Sequence, residues 1–200
     1  MPDLPNAPIY QTSTSLSLPT SREMSSIPMN AQGELWEYPS PQQMFNAMAR
    51  KGYEGTNPED VPAMVAVHNW LNEGSWEQIL NWEKKYFPYF ATPTNSKRSS
   101  DNKTPHLVKF KGRPGQPTPK SYILYKIGQA PKAFDHHEWF VSTPDGGTRR
   151  YVIDYYGVDD LTFSVDVRPA LDNFQSFKAR AMRWADKVCT KIGGNEKKDS

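Results

Sequence analysis

The fold is decided by the stretch at residues 139–156, which reads WFVSTPDGGTRRYVIDYY. Two runs rich in aromatic and β-branched residues, Trp139–Ser142 and Arg149–Tyr156, flank a turn sequence at Pro144–Gly147. Such runs predict β-strands, and a short connection of proline, aspartate and glycine predicts that the strands form a hairpin. The hairpin is therefore expected to form part of a small antiparallel sheet.

Further strands are predicted on both sides of this hairpin, at Leu107–Lys111, Tyr122–Ile127 and Thr162–Val167. After the sheet, Arg168-Pro169 is predicted to start a long C-terminal helix, because apolar residues then recur at helical spacing. The side of the helix on which they recur holds Leu171, Phe174, Phe177, Lys178, Ala181, Met182 and Ala185.

Helices are also predicted before the sheet. Ser40 and Gln43 have the spacing of a capping box, in which each residue satisfies the backbone of the other at a helix start. A second helix is predicted from Asn57-Pro58, and a second capping-box pattern, Ser75 with Gln78, predicts a third. Together these elements predict an α+β fold with N-terminal helices, a small antiparallel sheet and the C-terminal helix.

Composition predicts one folded domain between two polar ends. Residues 1–30 are rich in proline, serine and threonine and are predicted to form a disordered arm. Residues 31–188 are predicted to form a single domain, and residues 189–200 a polar tail. No apolar run reaches the roughly 18 residues that a membrane-spanning helix needs, so none is expected.

The single cysteine, Cys189, limits the chemistry that the chain can perform alone. An internal disulfide and a cysteine-based zinc site are both excluded, so any thiol chemistry must use the thiols of a partner. Phosphate-binding, dinucleotide-binding, serine-hydrolase and metalloprotease motifs are also absent.

Charge is unevenly distributed along the chain. Residues 1–102 hold seven lysine and arginine residues against eleven acidic ones, whereas residues 103–150 hold nine against three. This pattern is typical of solvated loops. It is also compatible with a basic surface for an anionic ligand and an acidic surface for a cationic partner.

His68 is the first candidate for a functional residue, because it lies among the apolar residues of the second predicted helix. A histidine in such a stripe is more often a satisfied core residue than a ligand. However, burying an imidazole has a desolvation cost, and a neutral imidazole in an apolar groove suits haem iron. Glu73, five residues further on, is either an ordinary solvated carboxylate or a neighbour of the same site.

Two further positions are candidates. Trp36 precedes the first helix, where a tryptophan usually packs as a hydrophobic staple but can also stack on a flat ring system. His136 and His137 stand between Asp135 and Glu138, which suggests a metal site. Because adjacent residues of a strand point to opposite faces, the two imidazoles are not expected to bind one ion.

Six motifs of this chain, most of them long, occur in a fixed order: WEYPSPQQMFNAM at residues 36–48, VHN at 67–69, WEQILNWE at 76–83, FDHHEW at 134–139, RYVIDYY at 150–156 and DVRPALD at 166–172. In this order they resemble the motifs of the mitochondrial cytochrome c haem lyases, and the resemblance runs from about Arg22 to Trp184.

The resemblance implies a lyase, a holocytochrome c synthase. Such an enzyme joins haem b to apocytochrome c, or c1, by thioether bonds between the haem vinyl groups and the two cysteines of a CXXCH motif. It implies that His68 is the axial ligand of the haem iron, and that Trp36 and Asn69 lie in the haem-binding region. Glu73 would belong to the same functional segment. His137 matches a second family histidine, which is structural or contacts a haem propionate.

The same resemblance implies partners and a location. The expected partners are haem and apocytochrome c, which would be recognised by its N-terminal helix and CXXCH motif. The expected location is the mitochondrial intermembrane space, peripheral on the inner membrane.

Two other functions are compatible with the residues. A haem-binding chaperone without synthase activity would use the same His68, but would leave apocytochrome c without covalently attached haem. A nucleic-acid-binding module would use the basic segment at residues 103–150, and predicts an affinity for nucleic acid that falls steeply with salt.

Overall fold

The computed structural model describes residues 6–7, 17–53, 55–87, 104–159 and 162–195, and the chain divides into two compact units at residues 1–76 and 77–200. The first unit contains strands β1 (Met24–Pro28) and β2 (Leu35–Glu37), helix α1 (Pro41–Arg50), a 3₁₀ turn (Pro58–Asp60) and the start of helix α2 (Val61–Tyr86). The second unit contains the end of α2, then β3 (Leu107–Gly112), α3 (Pro119–Lys126), β4 (Ala133–Ser142), β5 (Thr148–Asp159), β6 (Thr162–Pro169) and α4 (Phe174–Asn195). The predicted α+β class is confirmed.

Helix α1 starts where the sequence predicts. The Ser40 Oγ accepts a hydrogen bond from the backbone N–H of Gln43 at 3.1 Å, and the Gln43 side chain accepts one from the N–H of Ser40 at 3.1 Å. This capping box fixes the start of the helix. The helix then buries Phe45 in a core with Leu18, Val61 and Val65.

The segment predicted to be a disordered arm is ordered where it reaches the sheet. Strand β1, at Met24–Pro28, pairs antiparallel with β2. The prediction of disorder is therefore wrong for these five residues, while residues 1–5 and 8–16 lie outside the described part of the chain. The predicted polar tail is also partly helical, because α4 continues to Asn195.

The sheet of the second unit has the strand order β3-β4-β5-β6, with each neighbouring pair antiparallel. The predicted hairpin is confirmed as β4 and β5, with Ser142 opposite Thr148 and Trp139 opposite Tyr151. Gly146 in the turn has φ +85°, a conformation that glycine adopts without strain.

The end of α2 is joined to this sheet by a buried ion pair. Glu83 and Arg149 are 1% and 6% exposed, and the guanidinium of Arg149 donates to both carboxylate oxygens of Glu83. The Tyr151 hydroxyl donates to the same carboxylate at 2.7 Å. Close by, the indole N–H of Trp82 donates to the carbonyl of Val167 at 2.7 Å.

Two predictions of local structure are wrong. Residues 122–126 belong to helix α3 rather than to a strand, and Ile127 is the C-cap residue that follows the helix. The helix begins here because Thr118 caps it by accepting a hydrogen bond from Ser121 N at 3.1 Å. No third helix begins at Ser75 either. Its hydroxyl donates to the carbonyl of Leu71 at 2.7 Å, one turn earlier in α2, so the helix continues without a break.

The C-terminal helix begins later than predicted. Arg168 and Pro169 end strand β6, where Arg168 is only 5% exposed and pairs with Asp154 at 2.7 Å. Helix α4 starts instead at Phe174, because the Asn173 side chain accepts a hydrogen bond from Ser176 N at 2.8 Å and so acts as the cap. Over the described residues, no helix has the length and apolar content needed to cross a membrane.

Candidate functional site

His68 lies in the middle of the buried face of α2. Helical geometry places Val61, Val65 and Asn72 around it on that face, and these three are 0%, 8% and 7% exposed. His68 itself is only half-buried, and its neighbour Met64, one turn earlier, is 44% exposed. His68 therefore lies on a buried helix face and is itself partly exposed to solvent.

Two side chains lie against the imidazole. The amide nitrogen of Asn72 is 3.2 Å from His68 Nδ1 and 3.3 Å from His68 Nε2. Tyr38 contacts the ring edge-on, with 6.3 Å between the ring centroids and an interplanar angle of 84°. Because both contacts come from buried side chains, they restrict the orientation of the His68 ring.

Glu73 ties α2 to β1 and to the segment that follows β2. Its carboxylate accepts hydrogen bonds from Ser26 N at 2.9 Å and from the Tyr38 hydroxyl at 2.8 Å, and it also accepts one from the Ser26 hydroxyl. Burial raises the pKa of Glu73, but the hydrogen bonds from Ser26 and Tyr38 outweigh it and hold the pKa below its ordinary value. The carboxylate is therefore an anion at neutral pH.

Asn69 is buried between the same elements. It is 6% exposed, its side-chain amide donates to Glu23 at 2.7 Å, and its side-chain oxygen is 3.5 Å from His68 Nδ1. We refer to Tyr38, His68, Asn69, Asn72 and Glu73 as the His68 cluster. Within the cluster, the His68 imidazole is surrounded by hydrogen-bonding side chains and one aromatic ring.

Trp36 lies in the same unit, half-buried in strand β2. Its carbonyl accepts a hydrogen bond from the Ser25 hydroxyl at 2.6 Å, which helps to hold the two-stranded sheet together. Three of the residues selected from the sequence lie together on α2: His68, Asn69 and Glu73. The fourth, Trp36, lies on β2, two residues before Tyr38.

Sequence reasoning missed Tyr38 and Asn72 as members of the site. Asn72 could have been found, because a residue four positions after His68 lies one turn away on the same helix face. Tyr38 stands two positions after Trp36, and this short spacing is the only local signal for it. Its contact with His68 depends on how the chain folds back on α2.

His137 lies in the second unit, on strand β4. Its Nε2 is 2.9 Å from an Asp135 carboxylate oxygen, and its ring packs edge-on against Tyr155 with 5.1 Å between the centroids. His136 points the other way and is 9% exposed, with Nδ1 at 3.0 Å from the carbonyl of Gln116. The expectation that the two imidazoles face apart is thus confirmed.

A metal site at these histidines finds no support. Within the described ranges, no group of three or more histidine, cysteine, aspartate or glutamate side chains is placed to hold a metal ion. His137 lies between a carboxylate, that of Asp135, and the aromatic ring of Tyr155.

Comparison with known proteins identifies relatives over most of the chain. The family model described as "Cytochrome c/c1 heme lyase" matches residues 1–184. The holocytochrome-c synthase of Saccharomyces cerevisiae is 38% identical, in an alignment that covers 94% of this chain and 75% of the yeast protein. The human holocytochrome c-type synthase is 34% identical over 84% of this chain and 63% of its own length.

The relatives differ in length from this chain. A longer relative from Schizosaccharomyces pombe is 41% identical, and the aligned region is 84% of this chain but only 44% of that protein. No solved structure matches the chain significantly.

Proposed function

The chain belongs to the cytochrome c/c1 heme lyase family, and on that premise we propose that it is a holocytochrome-c synthase, a lyase that attaches haem to apocytochrome c. The substrate haem is haem b, and the attachment joins its vinyl groups to the two cysteines of the CXXCH motif. The chain has one cysteine of its own, Cys189 on α4, so both sulfur atoms come from the substrate protein.

His68 is the proposed axial ligand of the haem iron. The observation that carries this assignment is its half-buried position on a helix face whose other members, Val61, Val65 and Asn72, are buried. An imidazole that is half-buried and oriented by its neighbours has the chemistry of an iron ligand. The other polar members of the His68 cluster would hold the ring in place, as outer-shell groups do for metal-ligating histidines.

The remaining predicted site residues have supporting roles in this proposal. Trp36 supplies an aromatic surface for the flat haem ring. Asn69 and Glu73 position α2 against β1, since their side chains are engaged with Glu23 and with Ser26 and Tyr38. A direct catalytic role for Glu73 stays a prediction, as does contact between His137 and a haem propionate.

The reaction needs positioning more than acid–base chemistry. Each thioether forms when the S–H of a cysteine adds across the C=C bond of a vinyl group, so the sulfur bonds to one carbon and the proton goes to the other. No atom leaves and no net oxidation occurs. A protein that holds the ring and the CXXCH segment in register supplies the main acceleration. His68 serves this by fixing the ring from one side, which leaves the other side for the substrate histidine.

The first test is the variant His68→Ala, co-expressed with apocytochrome c. We expect the variant to yield no cytochrome whose haem survives acid–acetone extraction, because the ring is no longer held by an axial ligand. The matched control is His106→Ala, which removes a half-buried histidine directly before strand β3. This variant should leave the yield unchanged. Wild-type yield from His68→Ala would refute the assignment. Haem that binds to the wild-type protein but never becomes covalent would identify a chaperone instead.

We also propose that the protein works in the mitochondrial intermembrane space, peripheral on the inner membrane, as its resemblance to the mitochondrial family suggests. Fractionation of mitochondria tests this location. Release of the protein from inner membranes by alkaline carbonate supports it, and recovery in the matrix would contradict it.

A further inference from the structure

Helix α4 turns its apolar face away from the rest of the second unit. Phe174, Phe177 and Trp184 share one side of the helix and are 77%, 58% and 70% exposed. The opposite side contains Ser176 and Ala179, each 1% exposed. A helix on the surface of a globular protein ordinarily buries its apolar stripe and exposes its polar side. Here the arrangement is reversed.

Polar contacts within the second unit hold α4 in this orientation. The guanidinium of Arg183 lies 4.4 Å from the ring centroid of Trp82. Asp186, one turn nearer the C-terminal end of α4, pairs with Lys85 at 2.8 Å and accepts a hydrogen bond from the Tyr86 hydroxyl at 2.9 Å. Because these contacts come from the inward side of α4, they leave its aromatic side outward.

Cations border the outward face on both sides. Helix α4 holds five lysine and arginine residues and one aspartate. Helical spacing places Lys178 along one border of the aromatic face, and Arg180 and Lys187 along the other. A helix with large aromatic residues on one face and lysine and arginine beside them has the features of a helix that lies in a membrane interface. The cations would meet the phosphates of anionic lipids.

We propose that α4 docks the protein onto the surface of a bilayer that contains anionic lipid. Phe174, Phe177 and Trp184 enter the headgroup region, and Lys178 and Lys187 lie against lipid phosphates. The proposal rests on the peripheral membrane location proposed above and is independent of the chemistry at His68. A second copy of the chain is a less suitable occupant, because like-charged borders would then face each other.

Co-sedimentation of the whole chain with vesicles tests the proposal. Vesicles of equal parts phosphatidylcholine and phosphatidylglycerol should bind the protein, and binding should weaken with added salt. Vesicles of phosphatidylcholine alone should bind it less. The triple variant Phe174→Ser, Phe177→Ser, Trp184→Ser should bind anionic vesicles about tenfold more weakly or worse, because three apolar side chains are lost from the interface.

The matched control is the double variant Ile123→Ser, Ile127→Ser, which changes one residue of helix α3 and the C-cap residue that follows it. These residues are 57% and 58% exposed, so their loss changes the exposed apolar surface without touching α4. The control should bind anionic vesicles as the wild type does. An equal loss of binding in both variants would overturn the proposal, because it would show a general effect of surface hydrophobicity.

Other results would also contradict the docking role of α4. Wild-type protein that stays in the supernatant with anionic vesicles overturns the proposal, and so does a triple variant that binds normally. A wild-type dimer that the triple variant converts to a monomer would assign the face to a second copy. Where the triple variant does not fold by circular dichroism, Lys178→Glu with Lys187→Glu replaces it and should abolish the preference for anionic vesicles. An unchanged preference would refute the docking role.

The two proposals can fail separately. Haem attachment in a vesicle-free assay should persist in the triple variant, because none of its three positions belongs to the His68 cluster. If the wild-type protein attaches no haem to apocytochrome c, the result counts against the proposed synthase function and leaves the vesicle result unaffected.

Discussion

The amide of Asn72 lies within 3.3 Å of both ring nitrogens of His68, and this contact joins two residues one turn apart on α2. A group so placed limits the rotation of the imidazole. Asn72 is 7% exposed, so water does not readily replace its amide. The orientation of the His68 ring therefore depends on its neighbours.

Substitution of Asn72 should therefore weaken haem retention. Asn72→Leu keeps the side-chain size but removes the amide, and we expect haem retained per protein to fall about three- to tenfold, as the loss of one hydrogen bond predicts. The measurement is the haem absorbance of the purified variant relative to protein. Asn81→Leu, at an exposed position of the same helix, is the control and should retain haem normally. Equal retention by both variants would show that the amide does not matter.

The contribution of Glu73 to the stability of the fold should depend on pH, because its pKa in the folded protein lies below the ordinary value of 4.5. A carboxyl group of this kind stabilises the fold above its unfolded pKa, and the contribution is lost as the pH falls through the folded pKa. Glu73→Gln should lower the free energy of unfolding at neutral pH by about 1–2 kcal/mol, because hydrogen bonds to a charged acceptor are lost. The difference from wild type should shrink as the pH falls below 4.5 and through the lower folded pKa of Glu73.

Urea unfolding at several pH values measures this effect. Glu77→Gln, which changes an exposed glutamate on the same helix, should stay within about 0.5 kcal/mol of the wild type at every pH. A difference for Glu73→Gln that stays constant with pH would mean that its charge does not stabilise the fold.

At the scale of the elements, α2 continues through Gly74 although glycine weakens helices. A Cβ atom added at Gly74 would meet nothing within 4 Å. Gly74→Ala should therefore raise the free energy of unfolding by about 0.5–1 kcal/mol, because alanine loses less backbone entropy on folding. Urea unfolding checks the value.

Gly146→Ala is the opposite control for this measurement. Gly146 has φ +85° in the β4–β5 turn, where an alanine is strained, so this variant should be less stable than the wild type. A destabilised Gly74→Ala variant would show that α2 needs flexibility next to the His68 cluster.

The elements also show what the sequence could predict. The hairpin of β4 and β5 was predictable, because a turn sequence between two β-rich runs determines both strands locally. Helix α3 was missed because its tyrosine and isoleucine residues favour strands, although Thr118 followed by Pro119 is a local signal for a helix start. Ser75 has the spacing of a cap, yet its hydroxyl is used inside the helix.

At the scale of the whole molecule, the site was predictable only in part. The helical period gave the face on which His68 lies. Other contacts of the site come from segments that are distant in sequence. The Tyr38 hydroxyl approaches the carbonyl of Asn69, which is 31 positions away, and Glu23 accepts a hydrogen bond from the Asn69 side chain, which is 46 positions away. Such contacts follow from the packing of the first unit. No local pattern in the sequence encodes them.

The buried ion pair of the second unit should have a large effect on stability. Glu83→Gln or Arg149→Met leaves the other charge buried without its partner, and each should cost about 3–5 kcal/mol of unfolding free energy. The double variant should lose less than the two single variants together, because no unpaired charge remains. Asp172→Asn removes one partner of the more exposed Arg150–Asp172 pair and should cost about 0–1 kcal/mol.

Urea unfolding of the four variants gives the comparison. Additive losses for Glu83→Gln and Arg149→Met would contradict a direct coupling between the two side chains. Losses no larger than that of Asp172→Asn would show that the pair is solvated in solution.

The single thiol of the chain also makes α4 accessible to spectroscopy. Cys189 is exposed on that helix, so a maleimide nitroxide attaches at one known position without any prior removal of cysteines. Its paramagnetic collision rates with dissolved oxygen and with a water-soluble nickel complex would give the immersion depth of the helix. The unmodified sequence therefore already provides a single site for spin labelling.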